Sequence, residues 1–285
     1  NIIDTHSHLQ FKAFEHDADE VVKRTLAENI WMINVGTKYE TSKNAVELAE
    51  KWTSGVYAAI GLHPIYAAAE FVKTKTDPDE GEFLIREQEF DKEKYKALAL
   101  GGGKKVVAIG EIGLDYYYKP KTAAKLQQFK KKQKEVFLQQ LDLAKELGLP
   151  LILHCRVAHD DVIEILQSRN EKRGVIHCFT GTWEQAQKYV AMGFCLGING
   201  IIFKFNIDEV IKNAPLEKLV IETDCPYLTP LPAIALAKEG KPEGDKRNEP
   251  IFIKHTISRI AELKGISAKE VSQKSTENAR KLFRI

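Results

Sequence analysis

Leu149-Pro150-Leu151-Ile152-Leu153-His154 is a short apolar run that follows Gly148 and closes on a histidine. Its length and punctuation are those of a buried strand. The same design recurs along the chain. Lys105-Val106-Val107-Ala108-Ile109-Gly110 closes on Glu111, Gly174-Val175-Ile176 on His177, and Lys218-Leu219-Val220-Ile221 on Glu222, with Asp224 two residues on. With Ile2–Thr5, Trp31–Gly36, Val56–Gly61 and Phe194–Gly197 these make eight apolar runs separated by amphipathic segments. Continuous apolar strands alternating with helices form parallel sheets covered on both faces. Eight in one chain predict an α/β fold of the (β/α)8, TIM-barrel type. An open doubly wound sheet is the alternative, but no GxGxxG follows the first strand to support it.

The helical segments carry their own boundaries. The longest spans Thr122–Leu147 and is ended by Gly148. Asp17 with Glu20, Thr182 with Gln185, and Ser267 with Glu270 have capping-box spacing. The whole chain, 1–285, reads as one barrel domain with an enlarged insertion at 66–104 after the third strand. That insertion is rich in Lys, Asp and Glu, and a solvated helix is expected within Glu82–Leu98. Gly101-Gly102-Gly103 lacks the GK[ST] of a phosphate loop and precedes a strand, so it reads as a flexible connector. Gly240–Gly244 reads as an exposed loop.

The formal net charge is only +2, so a polyanion would have to be recognised by local charge at a site. No apolar run approaches the roughly 18 residues of a membrane span. The N-terminus has no signal-peptide pattern, and Asn1 in place of Met suggests a trimmed start. Cys155, Cys178, Cys195 and Cys225 lack CxxC spacing and are expected to be reduced, buried thiols of a cytoplasmic protein. Three of them directly follow His154, His177 and Asp224, so strand alternation places them on the opposite face, as wall packing.

His6 and His8 point the same way on an extended segment and offer half a site for a divalent metal. Alone, an HxH pair is weak. In a barrel, however, the C-terminal ends of all strands open onto one face, which adds Glu111, His154, His177 and Asp224 to the pair. Buried carboxylates need cations, and a metal supplies them. His63 ends the third strand and is a substrate contact or a turn histidine. Glu222 is a second-shell carboxylate, an extra ligand or a salt-bridged wall residue. Arg156 shares a face with His154 and suits a phosphate clamp. Lys204, in the loop after strand seven, could also reach phosphate. His16, His159 and His255 read as structural or solvated.

Ile3-Asp4-Thr5-His6-Ser7-His8, Gly61-Leu62-His63-Pro64, Gly110-Glu111-Ile112-Gly113-Leu114-Asp115, His154-Cys155-Arg156, His177-Cys178-Phe179 and Glu222-Thr223-Asp224-Cys225-Pro226-Tyr227-Leu228 resemble, in order, the motifs of the TatD family of metal-dependent deoxyribonucleases. Arg247-Asn248-Glu249-Pro250 and Thr276–Phe283 resemble its C-terminal signatures. The resemblance implies a TIM-type barrel that hydrolyses phosphodiesters of DNA, often as a 3′-to-5′ exonuclease. It also implies two divalent ions, with zinc, manganese and magnesium the alternatives. His6, His8 and Asp224 would hold one ion, His154 and His177 the other, and Glu111 would bridge them. Asp224 would act as general base, and single strands or strand ends would be the substrate. A barrel hydrolase of small amides, lactones or phosphate esters is the competing reading; many of those bridge their metals with a lysine where this chain offers Glu111.

Overall fold

The computed structural model describes residues 1–72, 80, 86, 88–230 and 247–285. Its strands are β1 (Ile2–Ser7), β2 (Ile30–Val35), β3 (Val56–Ile60), β4 (Val106–Asp115), β5 (Leu151–Arg156), β6 (Gly174–Ile176), β7 (Cys195–Ile198) and β8 (Leu219–Ile221). They form one sheet in the order β1 to β8, each parallel to the next. The seam between β8 and β1 is closed by a bridge at Ser7 and Cys225, by His8 N–H to the Cys225 carbonyl at 2.9 Å and by Asp224 N–H to the His6 carbonyl at 2.8 Å. Asp4 staples the same seam, its carboxylate accepting from Thr223 N–H at 2.9 Å and from the Thr223 hydroxyl at 2.5 Å. The result is the expected TIM-type barrel.

Two apolar layers follow from strand alternation. Ile3, Ile33, Val35, Ala59, Ala108, Ile152, Val175 and Val220 point into the barrel. Their neighbours Met32, Ala58, Ile109, Leu151, Ile176, Leu219 and Ile221 pack outward against the helices. The helices are α1 (Ala18–Ala27), α2 (Tyr39–Glu50), α3 (Pro64–Ala67), α4 (Lys92–Gly102), α5 (Ala123–Leu147), α6 (His159–Ser168), α7 (Trp183–Met192), α8 (Asp208–Asn213), α9 (Ile253–Lys264) and α10 (Ala268–Phe283). The C-terminal end of α10 buries Ala279, Leu282 and Phe283 in the inner layer and so plugs the floor of the barrel. None of the described helices is long and apolar enough to cross a membrane.

Each strand lies within two residues of its expected ends except β4, which runs four residues past Glu111. The pairing of β4 with β5 shifts register between Ile109 and Ile112, an irregularity that re-aims Glu111 and carries the strand on to Asp115. Gly113 makes this close approach possible: at φ +141° any Cβ would collide with the His154 carbonyl.

Long helix α5 begins at its Thr122 cap and ends at Gly148 in the left-handed region, as its sequence dictates. It also buries two glutamines seven residues apart. Gln140 pins Leu62, accepting its N–H at 2.7 Å and donating to its carbonyl at 2.9 Å. Gln133 pins Asp115 in the same two-fold way at 2.8 and 2.9 Å. One helix face therefore fixes two rim positions.

Three expectations change. The helix anticipated within Glu82–Leu98 is α4, and it is solvated on one face only: Tyr95 and Ala99 are buried, and the Tyr95 hydroxyl donates to the Gly61 carbonyl at 3.3 Å. Gly101 and Gly102 complete this helix and Gly103 terminates it at φ +52°, so the glycine run is a helix end instead of a loose connector. Asp17 precedes α1 without capping it, because Arg247 takes its carboxylate at 2.8 and 2.6 Å. Thr182 forms its reciprocal box with Gln185, and Ser267 accepts from Glu270 N–H. Residues 73–79, 81–85, 87 and 231–246, including Gly240–Gly244, lie outside the described residues.

Candidate metal centre

The C-terminal rim surrounds a cavity of about 550 Å³, lined among others by His8, His63, Glu111, His154, His177 and Asp224. His8 Nδ1 lies 2.7 Å from the Val35 carbonyl, which can only accept, so Nδ1 carries a proton and Nε2 is the nitrogen turned to the site. Nε2 faces His6 Nε2 at 3.1 Å and Asp224 Oδ1 at 3.4 Å. His6 Nε2 in turn lies 3.5 Å from Glu111 Oε2 and 3.7 Å from Asp224 Oδ1. Burial, then the neighbouring His177, lowers the His6 pKa, and its ring stacks on that of His177 with centroids 3.5 Å apart.

His177 is anchored from behind. Its Nδ1 lies 2.8 Å from Glu222 Oε1, which also accepts Cys178 N–H at 2.7 Å and Asn199 Nδ2 at 3.1 Å. Burial opposes a charge on His177, but Glu222, then Asp224, push its pKa up to about 10. Burial likewise opposes ionisation of Glu111 and Asp224. The surrounding histidines, His63 first for Glu111 and His177 first for Asp224, nevertheless hold both below the usual carboxylate range.

Three imidazoles and two carboxylates thus converge, the His8 ring donating to a backbone carbonyl and the His177 ring in close ionic contact with Glu222. A ring N–H donated to a backing group, as at His8, is the arrangement that orients metal-binding histidines. His6–His8–Asp224 and His6–Glu111–His177 each present three ligand atoms within 4.8 Å of one another. The donors fit a divalent cation.

His154 lies between two carboxylates. Its Nδ1 lies 2.8 Å from Glu111 Oε1 and its Nε2 3.0 Å from Asp115 Oδ2. Against the effect of burial, Asp115 and Glu111 raise its pKa to about 9. It forms a compact group with His63 and Asp115, and His177 Nε2 lies 3.9 Å from the same Glu111 Oε1. Asp115 is therefore a site residue that the sequence reading passed over by ending the strand at Glu111. Its one local signal was its place at the end of the Gly110–Asp115 motif, because β4 is irregular between Ile109 and Gly113 and period-two alternation does not reach Asp115.

His63 caps α3, its Nδ1 accepting Ile65 N–H at 3.1 Å, while Nε2 reaches to 3.5 Å from Glu111. Arg156 lines the cavity and stacks on Tyr117, 3.6 Å from the ring centroid. Lys204 is exposed at the end of a short 3-10 turn and does not line the cavity. Glu222 is fully buried behind His177, and the side chain of Gly197 would occupy its place if it had one.

Cys178 overturns the expectation that the cysteines face away. It lines the cavity and stands within ligand distance of His177 and Asp224. Strand β6 ends at Ile176 and Cys178 adopts φ +46°, so alternation no longer governs it. Cys155 also touches the cavity wall, and all four cysteines are free. His159 is buried against the Tyr189 hydroxyl at 3.2 Å, whereas His16 is exposed.

Residues 3–284 match the family described as TatD related DNase. The chain is 38% identical over its full length to the uncharacterized metal-dependent hydrolase YabD of Bacillus subtilis, covering 99% of that protein. It is 33% identical to the 3′-5′ ssDNA/RNA exonuclease TatD of Cronobacter sakazakii, over 95% of this chain and 93% of that one. Among solved structures it resembles YJJV, a TatD homolog from Escherichia coli, with a TM-score of 0.78 at 30% identity, covering 100% of this chain and 98% of the other.

Proposed function

The chain belongs to the family of TatD-related DNases and is a metal-dependent hydrolase; from that premise we propose that it removes nucleotides from the 3′ end of single-stranded DNA by two-metal hydrolysis of the phosphodiester. The observation that carries this reading is the convergence of His6, His8, Glu111, His177 and Asp224 at one cavity.

In this reading His6, His8 and Asp224 would hold one divalent ion, and Glu111, His154 and His177 would hold a second. Bound there, such ions supply Lewis acidity to the phosphoryl oxygens and acidify water toward neutrality. Asp224 accepts the proton of the attacking water at its carboxylate, which its histidine neighbours keep ionised. Hydrogen bonding to Val35 turns His8 Nε2 toward the site, and the carboxylate of Glu222 lies against the Nδ1 edge of His177. Asp115 steadies His154 from the side away from Glu111. Arg156, stacked on Tyr117 and with no ion pair to a carboxylate among the described residues, offers its guanidinium to the scissile phosphate. His63 contacts the same phosphate group.

The test is to strip the protein with a chelator, reload it with zinc, manganese or magnesium, and incubate it with end-labelled single-stranded DNA beside Asp224→Ala. Stepwise shortening from the 3′ end, lost in the variant, is expected. No cleavage with any ion refutes the nuclease reading, and full activity with one ion per chain refutes the two-metal mechanism.

A further inference from the structure

A net charge of +2 leaves little long-range attraction for a polyanion, yet the charge is not evenly spread. Residues 119–134 contain seven lysines and no carboxylate. Lys119, Lys121 and Lys125 are exposed and border a second cavity of about 350 Å³. Among the described residues none of the three is in an ion pair, whereas Lys131 and Lys134, further along α5, reach Glu135 and Asp161.

Two large aromatic side chains stand between this cavity and the metal centre. Tyr117 and Tyr118 are 52% and 47% exposed, two adjacent rings open to solvent. They meet edge to face, with centroids 4.8 Å apart and planes at 88°. Arg156 lies over Tyr117 at 3.6 Å and within 5.6 Å of Tyr118. Tyr118 lines both cavities and so joins them. A cation stacked on an open aromatic face, followed by unpaired lysines, is the combination that binds single strands. Bases stack on the rings and phosphates run along the charges, with little regard to sequence.

We propose that Tyr117, Tyr118 and Arg156, continued by Lys119, Lys121 and Lys125, form an extended subsite for the nucleotides that trail the one being cleaved. The inference rests on reading the main cavity as a nuclease site, and it adds a substrate preference: single-stranded polynucleotides over dinucleotides and other small diesters. A paired strand cannot offer its bases to the tyrosines, so duplex ends must fray before they are held.

Binding, measured apart from cleavage, tests it. Fluorescence anisotropy with fluorescein-labelled oligothymidylates of two and twelve residues, on chelator-treated protein, gives both affinities. The 12-mer is expected to bind the more tightly. Tyr117→Ala/Tyr118→Ala should weaken 12-mer binding on the order of tenfold, the size of one base–aromatic contact, with much less effect on the 2-mer. Lys121→Ala/Lys125→Ala should make the plot of log Kd against log salt shallower by about 1.4, since each single-strand phosphate contact contributes about 0.7. All four residues are exposed, and circular dichroism checks that both variants fold. Variant effects of this size in a protein that cleaves no DNA would refute the exonuclease reading and leave the subsite standing. Wild-type affinity and salt slope in both variants would overturn the subsite, even if the wild-type protein degrades the 12-mer.

Discussion

Glu222→Gln changes one oxygen to an amide and removes one buried charge. Glu222 Oε1 is the meeting point of His177 Nδ1 at 2.8 Å, Cys178 N–H at 2.7 Å and Asn199 Nδ2 at 3.1 Å. Glutamine can keep an acceptor at that point, so the ring of His177 should stay close to its place. The charge that raises His177 toward a pKa of about 10 is lost, and a charge-assisted contact is roughly twice as strong as a neutral one. The other carboxylate oxygen, Oε2, is buried with no hydrogen-bond partner. An amide NH2 placed there stays unsatisfied, at a cost of about 1–3 kcal/mol. Both effects weaken the hold on His177, and loss of such a supporting group raises metal dissociation constants about 10- to 100-fold, or about 1.4–2.7 kcal/mol. Competition with a chromophoric chelator, using zinc and manganese at neutral pH, measures the constant, and circular dichroism verifies the fold. Wild-type affinity in a folded Glu222→Gln protein would refute the reasoning and make Glu222 a wall residue.

Asp115→Asn, which leaves Tyr117 N–H its acceptor but removes the charge 3.0 Å from His154, should lower kcat/KM about 10- to 100-fold with little change in thermal stability; an unchanged rate on oligonucleotide would reject a positioning role. In the metal-free protein, His154 and His177 have pKa values raised from 6.5 to about 9 and about 10, so they bind protons more tightly folded than unfolded. Their stabilisation is complete below pH 6.5 and is lost as pH rises through the folded values, so Tm in chelator should fall between about pH 7 and 9. A Tm that holds or rises over that span, by calorimetry, would contradict the sign. Phe283→Ala opens the plugged floor of the barrel and should cost about 3–5 kcal/mol in urea denaturation, while a loss below about 1 kcal/mol would show that α10 is dispensable.

The linear pattern was sufficient for the barrel. Eight apolar runs had to find partners for their backbones and cover for both faces, and the parallel sheet with surrounding helices meets both needs. Because strand ends in such a barrel share one rim, the residues closing those runs could be read as one site before any contact was known: His6, His8, Glu111, His177 and Asp224 do meet. Period-two alternation also placed His154 and Arg156 on one face correctly, since β5 runs unbroken through both.

Alternation fails wherever the strand is irregular or has ended, and there only the tertiary structure decides. The register shift in β4 carries Asp115 to His154, and the left-handed turn at Cys178 brings a thiol to the cavity. Gln133 and Gln140 lie on a helix far along the chain from the backbone they clamp. No motif or periodicity in the sequence singles out Tyr117 and Tyr118. Only packing leaves them open to solvent between Arg156 and the lysines of a second cavity. Local periodicity reports which face a residue occupies while the backbone is regular; distances between segments remote in sequence are set by packing, which no local pattern encodes.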